Sequence, residues 1–125
     1  MKRMQDDILK VLLSEEQIAE KVAQIGRQIT EDYQDKNLLM VSVLKGSVVF
    51  MADLMRAVDC PARIDFMSVS SYGSGTKTSG VVKIVKDLDL NLEGYDLLLV
   101  EDILDSGRTL YYLREILEKR NPASI

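Results

Sequence analysis

Two kinds of apolar pattern alternate along this chain. After Ser14, which forms a capping-box sequence with Gln17, apolar residues recur every three or four positions over residues 18–33, as in an amphipathic helix. Residues 38–44 are instead continuously apolar except for Ser42, which is typical of a strand buried on both faces. This alternation predicts an α/β fold with a mostly parallel sheet flanked by helices. The helical stripe consists of Ile18, Val22, Ile25, Ile29 and Tyr33.

The same patterns predict the other elements of the fold. A helix is expected over residues 46–58, strands over 64–72, 81–85 and 96–100, and a last helix over 109–120, which Asn121 and Pro122 end. Residues 8–13 are interpreted as a short strand or an extended lead-in, and residues 123–125 as the first step into a further strand. The residues of the second helix that are expected to face the interior are Val49, Ala52, Leu54 and Met55.

The end of the predicted strand 96–100 has the most informative chemistry. Two adjacent carboxylates, Glu101 and Asp102, follow this strand, and a turn with hydroxyls and a glycine then leads into the last helix. The backbone N–H groups of residues 106–109 would converge at the helix start, where the helix dipole favours a phosphate. With the acidic pair facing sugar hydroxyls, this order predicts a ribose-5-phosphate site. The turn residues are Asp105, Ser106, Gly107, Arg108 and Thr109.

A second anion site is indicated after the first buried strand. Lys45, Gly46 and Ser47 follow that strand and open a helix, so the lysine and the backbone N–H groups could face a diphosphate. The alternative is that Ser47 only caps the helix, and Asp105 has the same alternative role at the last helix. Ligands of parallel α/β sheets bind beyond the carboxyl ends of the strands. The loops expected to line the site are therefore those after Leu44, Tyr72 and Asp102.

Composition excludes several classes of function. The 125 residues include no histidine and a single cysteine, Cys60, so the usual zinc ligand and the Ser–His and Cys–His nucleophile pairs are absent. The net charge of −4 disfavours binding of nucleic acid through a basic face. No apolar run approaches the roughly 18 residues of a membrane span, and Asp6 and Asp7 interrupt the apolar start that a signal peptide requires. The lone cysteine fits a reducing compartment, so a cytoplasmic protein is expected.

Small polar residues over 70–80 predict a flexible loop, which could be a lid or a plain hairpin loop. Thr76 stands where a Walker-type phosphate loop needs a glycine, and Thr78 stands where a dinucleotide fingerprint needs one. Both motifs also need a helix afterwards, whereas a strand is predicted. Two interpretations remain, a flexible lid with Tyr72 near its root and a plain surface hairpin loop, and the sequence does not separate them.

The stretch VEDILDSGRT at residues 100–109 resembles the phosphoribosyl-diphosphate signature of the type I phosphoribosyltransferases. LLMVSVLKGSVVF and DFMSVSSYGSGTKTSG resemble the bacterial hypoxanthine-guanine branch of that family, and the similarity extends from Ile8 to Ile125. The resemblance implies transfer of a phosphoribosyl group from phosphoribosyl diphosphate to hypoxanthine or guanine, which gives IMP or GMP and pyrophosphate in purine salvage. It also implies Mg²⁺ as the cofactor and a homo-oligomer, either a dimer or a tetramer.

The resemblance further implies roles for the motif residues. Glu101 and Asp102 would hold the ribose 2′- and 3′-hydroxyls, directly and through Mg²⁺. Asp105 and residues 106–109 would bind the 5′-phosphate. Asp105 would also accept a proton from the purine N7 nitrogen, which makes it the candidate catalytic residue.

The resemblance also covers the two remaining loops. Lys45 and Gly46 would bind pyrophosphate, with a cis peptide before Lys45, and Ser71 and Tyr72 would belong to the loop that closes over the reacting centre. Members of the family continue with further segments that read the purine, and these segments are not found after Ile125. The chain is therefore expected to be a single domain, residues 1–125, with an incomplete hood, the part of the family's fold that covers the site and reads the purine. Two other hypotheses stay open: a non-catalytic, nucleotide-sensing regulator on the same fold, and an inactive fragment of the enzyme.

Overall fold

The computed structural model describes residues 3–71 and 82–125, in which helices and strands alternate largely as the apolar pattern predicts. None of the helices in these ranges is long and apolar enough to span a membrane. The elements are a short 3₁₀ helix (Met4–Asp7), α1 (Glu15–Asp32), β1 (Leu38–Val43), α2 (Val48–Ala57), β2 (Ala62–Ser71), β3 (Val82–Lys86), β4 (Asp96–Val100) and α3 (Arg108–Glu118).

The strands form one sheet in the order β3–β2–β1–β4. β1 pairs in parallel with both β2 and β4, whereas β2 and β3 are antiparallel. The predicted mostly parallel sheet is therefore confirmed. Ser124 forms a parallel bridge with Asp96 at the free edge of β4, and its carbonyl accepts a hydrogen bond from the Leu97 N–H over 2.9 Å. The expected first step into a further strand after α3 is confirmed as well.

β1 separates two apolar layers because its side chains alternate between the faces of the sheet. Leu38 and Met40 pack with α1 and α2, and Leu39 and Val41 pack with α3. All four side chains are fully buried, so the carboxyl end of β1 is held firmly in the middle of the sheet. The helix residues in the two layers are Ile29 of α1, Met51 and Leu54 of α2, and Leu113 and Leu117 of α3.

Helix α1 begins as predicted and supports α2. The Ser14 hydroxyl accepts a hydrogen bond from the Gln17 N–H over 3.1 Å, and the Gln17 side chain accepts one from the Ser14 N–H over 2.8 Å. Further along, α1 passes very close to α2 at Gly26, where an added Cβ would lie 2.5 Å from the Ala57 Cβ. Glycine allows this close approach, which fixes α2 and the loop that precedes it.

The structure corrects one local prediction and decides between two alternatives that the sequence left open. Val49 and Met55, expected inside, are 68% and 42% exposed, whereas Met51 is buried together with the correctly predicted Leu54. Helix α2 is apolar on nearly all sides, so its pattern alone does not single out the buried face. The described residues 8–13 form no strand and are an exposed lead-in to α1.

Candidate functional site

The loops that follow β1 and β4 meet at one edge of the sheet because these strands are parallel neighbours. Ser42 of β1 lies opposite Val100 of β4, so the two loops leave the sheet side by side. A Cβ placed on Gly46 would lie 3.8 Å from Asp102 Oδ2. The predicted diphosphate loop and the predicted acidic pair therefore border one site.

The loop after β1 is anchored at both ends. The peptide between Leu44 and Lys45 is cis, as the resemblance implies. The Leu44 N–H donates to the Met67 carbonyl in β2 over 2.8 Å, and the Lys45 carbonyl accepts from the Val48 N–H over 3.1 Å. Within residues 3–71 and 82–125, no protein group accepts a hydrogen bond from the backbone N–H of Lys45 or Gly46. In the described part of the chain, nothing therefore competes with an anion for these two N–H groups.

The acidic pair leaves β4 with one half-buried and one exposed carboxylate, Glu101 and Asp102 respectively. Glu101 Oε1 accepts a hydrogen bond from the Asp102 N–H over 3.1 Å. Burial raises the pKa of Glu101, and its hydrogen bond with the Asp102 carboxyl and the repulsion from that charge raise the pKa further. Two carboxylates that repel each other attract a cation or hydrogen-bond donors such as sugar hydroxyls.

The predicted phosphate loop ends in a left-handed glycine. Helix α3 begins at Arg108 with Gly107 as its N-cap residue, at φ +78°. Asp105 Oδ1 accepts a hydrogen bond from the Gly107 N–H over 3.3 Å, and the Ser106 hydroxyl accepts one from the Arg108 N–H over 3.4 Å. Asp105 is therefore not the N-cap residue, and the alternative interpretation of its role is wrong.

Two of the N–H groups that were expected to face a phosphate, those of Gly107 and Arg108, thus have weak side-chain partners in the loop itself. A bound phosphate would replace these partners at the start of the helix, where the dipole favours it. A pocket of about 570 Å³ opens beside this helix start. It is lined by Ser106, Gly107, Arg108, Tyr111 and Tyr112.

Comparison with known proteins identifies the kind of domain that carries this geometry. The family model of the phosphoribosyl transferase domain matches residues 9–125. The chain belongs to this family.

The relatives of this phosphoribosyltransferase chain are longer than the chain itself. The hypoxanthine-guanine phosphoribosyltransferase of Streptococcus pyogenes is 54% identical over 122 residues, which make up 98% of this chain and 68% of that protein. The protein of the same name from Streptococcus thermophilus is 51% identical with the same coverage. A crystal structure of a hypoxanthine phosphoribosyltransferase from Staphylococcus aureus matches with a TM-score of 0.92 and 46% identity, over 97% of this chain and 66% of that one. The chain thus spans about two thirds of the length of these proteins.

The acidic pair is the part of this phosphoribosyltransferase best suited to a metal. Among residues 3–71 and 82–125, no cluster of three or more His, Cys, Asp or Glu side chains could hold a metal ion by itself. Mg²⁺ commonly takes one or two carboxylates and completes its shell with water and substrate phosphates. Glu101 and Asp102 fit that kind of site, because a nearby cation would offset both the burial and the repulsion by Asp102 that raise the pKa of Glu101.

The predicted closing loop lies at the limit of the described residues. β2 ends at Ser71, but the side chain of Ser71 and all of residues 72–81, including Tyr72, lie outside the part that the structure describes. The roles expected for these two residues stay predictions.

Sequence reasoning missed that two serines on either side of the loop after β1 are both buried and hydrogen-bonded to each other. Ser42 is 0% exposed and Ser47 is 1% exposed. The Ser47 hydroxyl donates to the Val43 carbonyl over 2.5 Å and also pairs with the Ser42 hydroxyl. Although Ser47 occupies the N-cap position of α2, its side chain makes no capping hydrogen bond, so it does not act as the simple helix cap of the alternative interpretation. The available signal was Ser42, the single polar residue in an apolar run.

Proposed function

We propose that this chain binds phosphoribosyl diphosphate and, as part of a hypoxanthine-guanine phosphoribosyltransferase, transfers its phosphoribosyl group to hypoxanthine or guanine. The products would be IMP or GMP and pyrophosphate, in cytoplasmic purine salvage. The observation that carries the proposal is the close approach of Gly46 to the acidic pair: a Cβ placed on Gly46 would lie only 3.8 Å from Asp102 Oδ2. It joins a loop suited to pyrophosphate to an acidic pair suited to ribose. The names of the relatives support the substrate class.

The sugar phosphate would lie across the loop after β4. Glu101 and Asp102 would hold the ribose hydroxyls and Mg²⁺, and the start of α3 would bind the 5′-phosphate through backbone N–H groups and the Ser106 and Thr109 hydroxyls. When bound, Mg²⁺ neutralises charge on the leaving pyrophosphate. Lys45 would bind that pyrophosphate on the other side of the site, through its exposed side chain and through its N–H, which has no acceptor among the described residues.

The chemistry would rest on carboxylates placed around the reacting carbon. The bond from C1′ to pyrophosphate breaks ahead of the new bond to the purine nitrogen, so positive charge develops on the ribose. Glu101, Asp102 and Asp105 would stabilise this charge as a preorganised field, which is usually the largest catalytic contribution. Asp105 would accept the proton from the purine N7 nitrogen as the general base.

The reaction is tested by offering phosphoribosyl diphosphate and Mg²⁺ with hypoxanthine, guanine, xanthine, adenine or uracil in separate assays. Nucleotide formation from the 6-oxopurines alone is the expected result. Turnover of adenine or uracil would contradict the substrate class. Binding of phosphoribosyl diphosphate without any turnover would limit this chain to sugar-phosphate recognition, as the regulator and fragment hypotheses require.

The proposed base is tested by Asp105→Asn. The substitution should lower turnover by about 10²–10⁴-fold, the usual contribution of a general base, while phosphoribosyl diphosphate still binds. Asp53→Asn changes an exposed carboxylate on α2 and serves as the matched control. Full turnover by the Asp105 variant would rule out its role as the base.

Association of the chain with itself belongs to the same proposal. Helix α2 exposes Val48, Val49 and Met55, and apolar side chains grouped on one helix are common where subunits meet. We expect size-exclusion chromatography with light-scattering detection to show a dimer or a tetramer. A monomer at high protein concentration would contradict it.

A further inference from the structure

The two buried serines form a relay of hydrogen bonds with a defined direction. A serine hydroxyl has one proton to donate. Because Ser47 donates its proton to the Val43 carbonyl, the proton between the two hydroxyls must come from Ser42. The chain of bonds therefore runs from Ser42 to Ser47 and then to the carbonyl of Val43, the last residue of β1.

This relay connects the two ends of the loop that carries Lys45 and Gly46. Ser42 and Val43 lie on one side of the loop in β1, and Ser47 lies on the other side at the start of α2. The relay thus holds the two ends of the loop together from below. Lys45 and Gly46 themselves are exposed, and their N–H groups donate to no protein acceptor among the described residues.

We propose that Ser42 and Ser47 are positioning residues that hold the Lys45–Gly46 loop in the shape that binds the pyrophosphate group of phosphoribosyl diphosphate. This inference rests on the proposed function. The serines act through the loop and touch no substrate themselves, since both are fully buried. They are also distant in sequence from the start of α3, which would bind the 5′-phosphate.

Because the serines and the start of α3 would serve different phosphate groups, an experiment on the 125-residue chain can measure the two binding functions separately. Binding of magnesium pyrophosphate and of ribose 5-phosphate with Mg²⁺ is measured by titration calorimetry for the wild type, Ser47→Ala, Ser42→Ala and Ser47→Thr. Ser47→Ala should weaken pyrophosphate binding by about 10-fold or more, because small misplacements of binding groups have effects of this size, and leave ribose 5-phosphate binding unchanged. Ser42→Ala, which keeps the bond to Val43, should have the same selectivity with a smaller loss. Ser47→Thr retains the hydroxyl and should restore binding.

Thr30→Val is the matched control. The Thr30 hydroxyl also makes two hydrogen bonds, to the Gly26 carbonyl over 2.7 Å and from the Asp59 N–H over 2.9 Å, but it is not part of either loop. This variant should bind both ligands as the wild type does.

Two outcomes would overturn the inference: unchanged pyrophosphate binding in Ser47→Ala, or an equal loss of both ligands, which marks a general structural role. Should Ser47→Ala not fold, Ser42→Ala decides the question, since selective weakening supports the inference and unchanged binding rejects it. A wild-type chain that binds neither ligand would instead contradict the proposed function.

Discussion

The two loops at the carboxyl edge of the sheet both carry anion-binding features, but they are held in place by different means. The loop after β1 is fixed from below by buried groups, namely the hydroxyls of Ser42 and Ser47. The loop after β4 is held by its own exposed side chains, Asp105 and Ser106, each of which accepts a backbone N–H two residues further along. The loop after β1 is exposed but anchored to buried residues at both ends, whereas the loop after β4 is a surface turn.

Because of this difference, we expect the two loops to bind phosphate groups in different ways. The N–H groups of Lys45 and Gly46 are already without partners in the described part of the chain, so a ligand can bind them without rearrangement. The N–H groups of Gly107 and Arg108 have partners at 3.3 and 3.4 Å, which a phosphate must displace. We therefore expect a rigid pyrophosphate loop and an adaptable phosphate loop in one site.

The largest effect on stability should come from breaking the buried relay. Ser47→Ala leaves the Ser42 hydroxyl without its acceptor in a fully buried position, which costs about 1–3 kcal/mol. Ser106→Ala removes one long hydrogen bond at an exposed position and should cost less than about 0.5 kcal/mol. Urea unfolding of both variants measures the difference, and equal costs would contradict the contrast between the loops.

In a matched pair of glycine substitutions, the loop after β4 should instead show the larger loss of stability. Gly107 has φ +78°, so Gly107→Ala should cost about 1–2 kcal/mol for the left-handed conformation. Gly46→Ala meets only Asp102 Oδ2, at 3.8 Å, and should change stability little while narrowing the gap between the loops. Thermal unfolding gives the stabilities, and a larger loss for Gly46→Ala would refute this prediction.

The smallest effect should be a gain in stability from Glu101→Gln. Because the pKa of Glu101 is raised in the folded chain, its ionised form opposes folding, and the cost appears as the pH rises through the folded pKa. The variant should be more stable than the wild type at pH 7, by less than about 1 kcal/mol at this partly exposed site.

The pH dependence and a control make this test specific. The gain should vanish well below the ordinary pKa of a glutamate, where the wild-type side chain is itself neutral. Glu20→Gln on the exposed side of α1 is the control, and it should leave the melting temperature unchanged both at pH 7 and in acid. A gain that persists in acid would show that the effect does not come from the charge of Glu101.

Much of the fold could be predicted because burial leaves periodic traces in a sequence. The run of residues 38–44 and the stripe over 18–33 each match one periodicity, and their order alone predicts a parallel sheet. Helix α2 could not be oriented in this way, since Val49 and Met55 are as apolar as the buried Met51 and Leu54. The covered face is the one that packs with Leu38 and Met40 of β1 and with α1.

The site residues could be located from the sequence, but their hydrogen-bond partners could not. Glu101 and Lys45 follow neighbouring parallel strands, which is enough to expect them at one edge of the sheet. A serine, by contrast, has several acceptors within reach, so Ser47 had equal reason to cap α2 or to bond to Val43. Which N–H groups Asp105 covers depends on the left-handed turn at Gly107, and residue types alone do not fix that choice.

The pairing of β1 with β4 joins distant parts of the chain, since Leu38 lies opposite Asp96. Such non-local pairing forms slowly because a long segment must first be closed into a loop. During folding, the Lys45 loop and the acidic pair would acquire a common ligand only once these strands have paired. A ligand that spans both loops, present at about 100 times its Kd, would then stabilise the folded chain by about 2.7 kcal/mol. The time at which a refolding chain first binds that ligand would mark the completion of its topology.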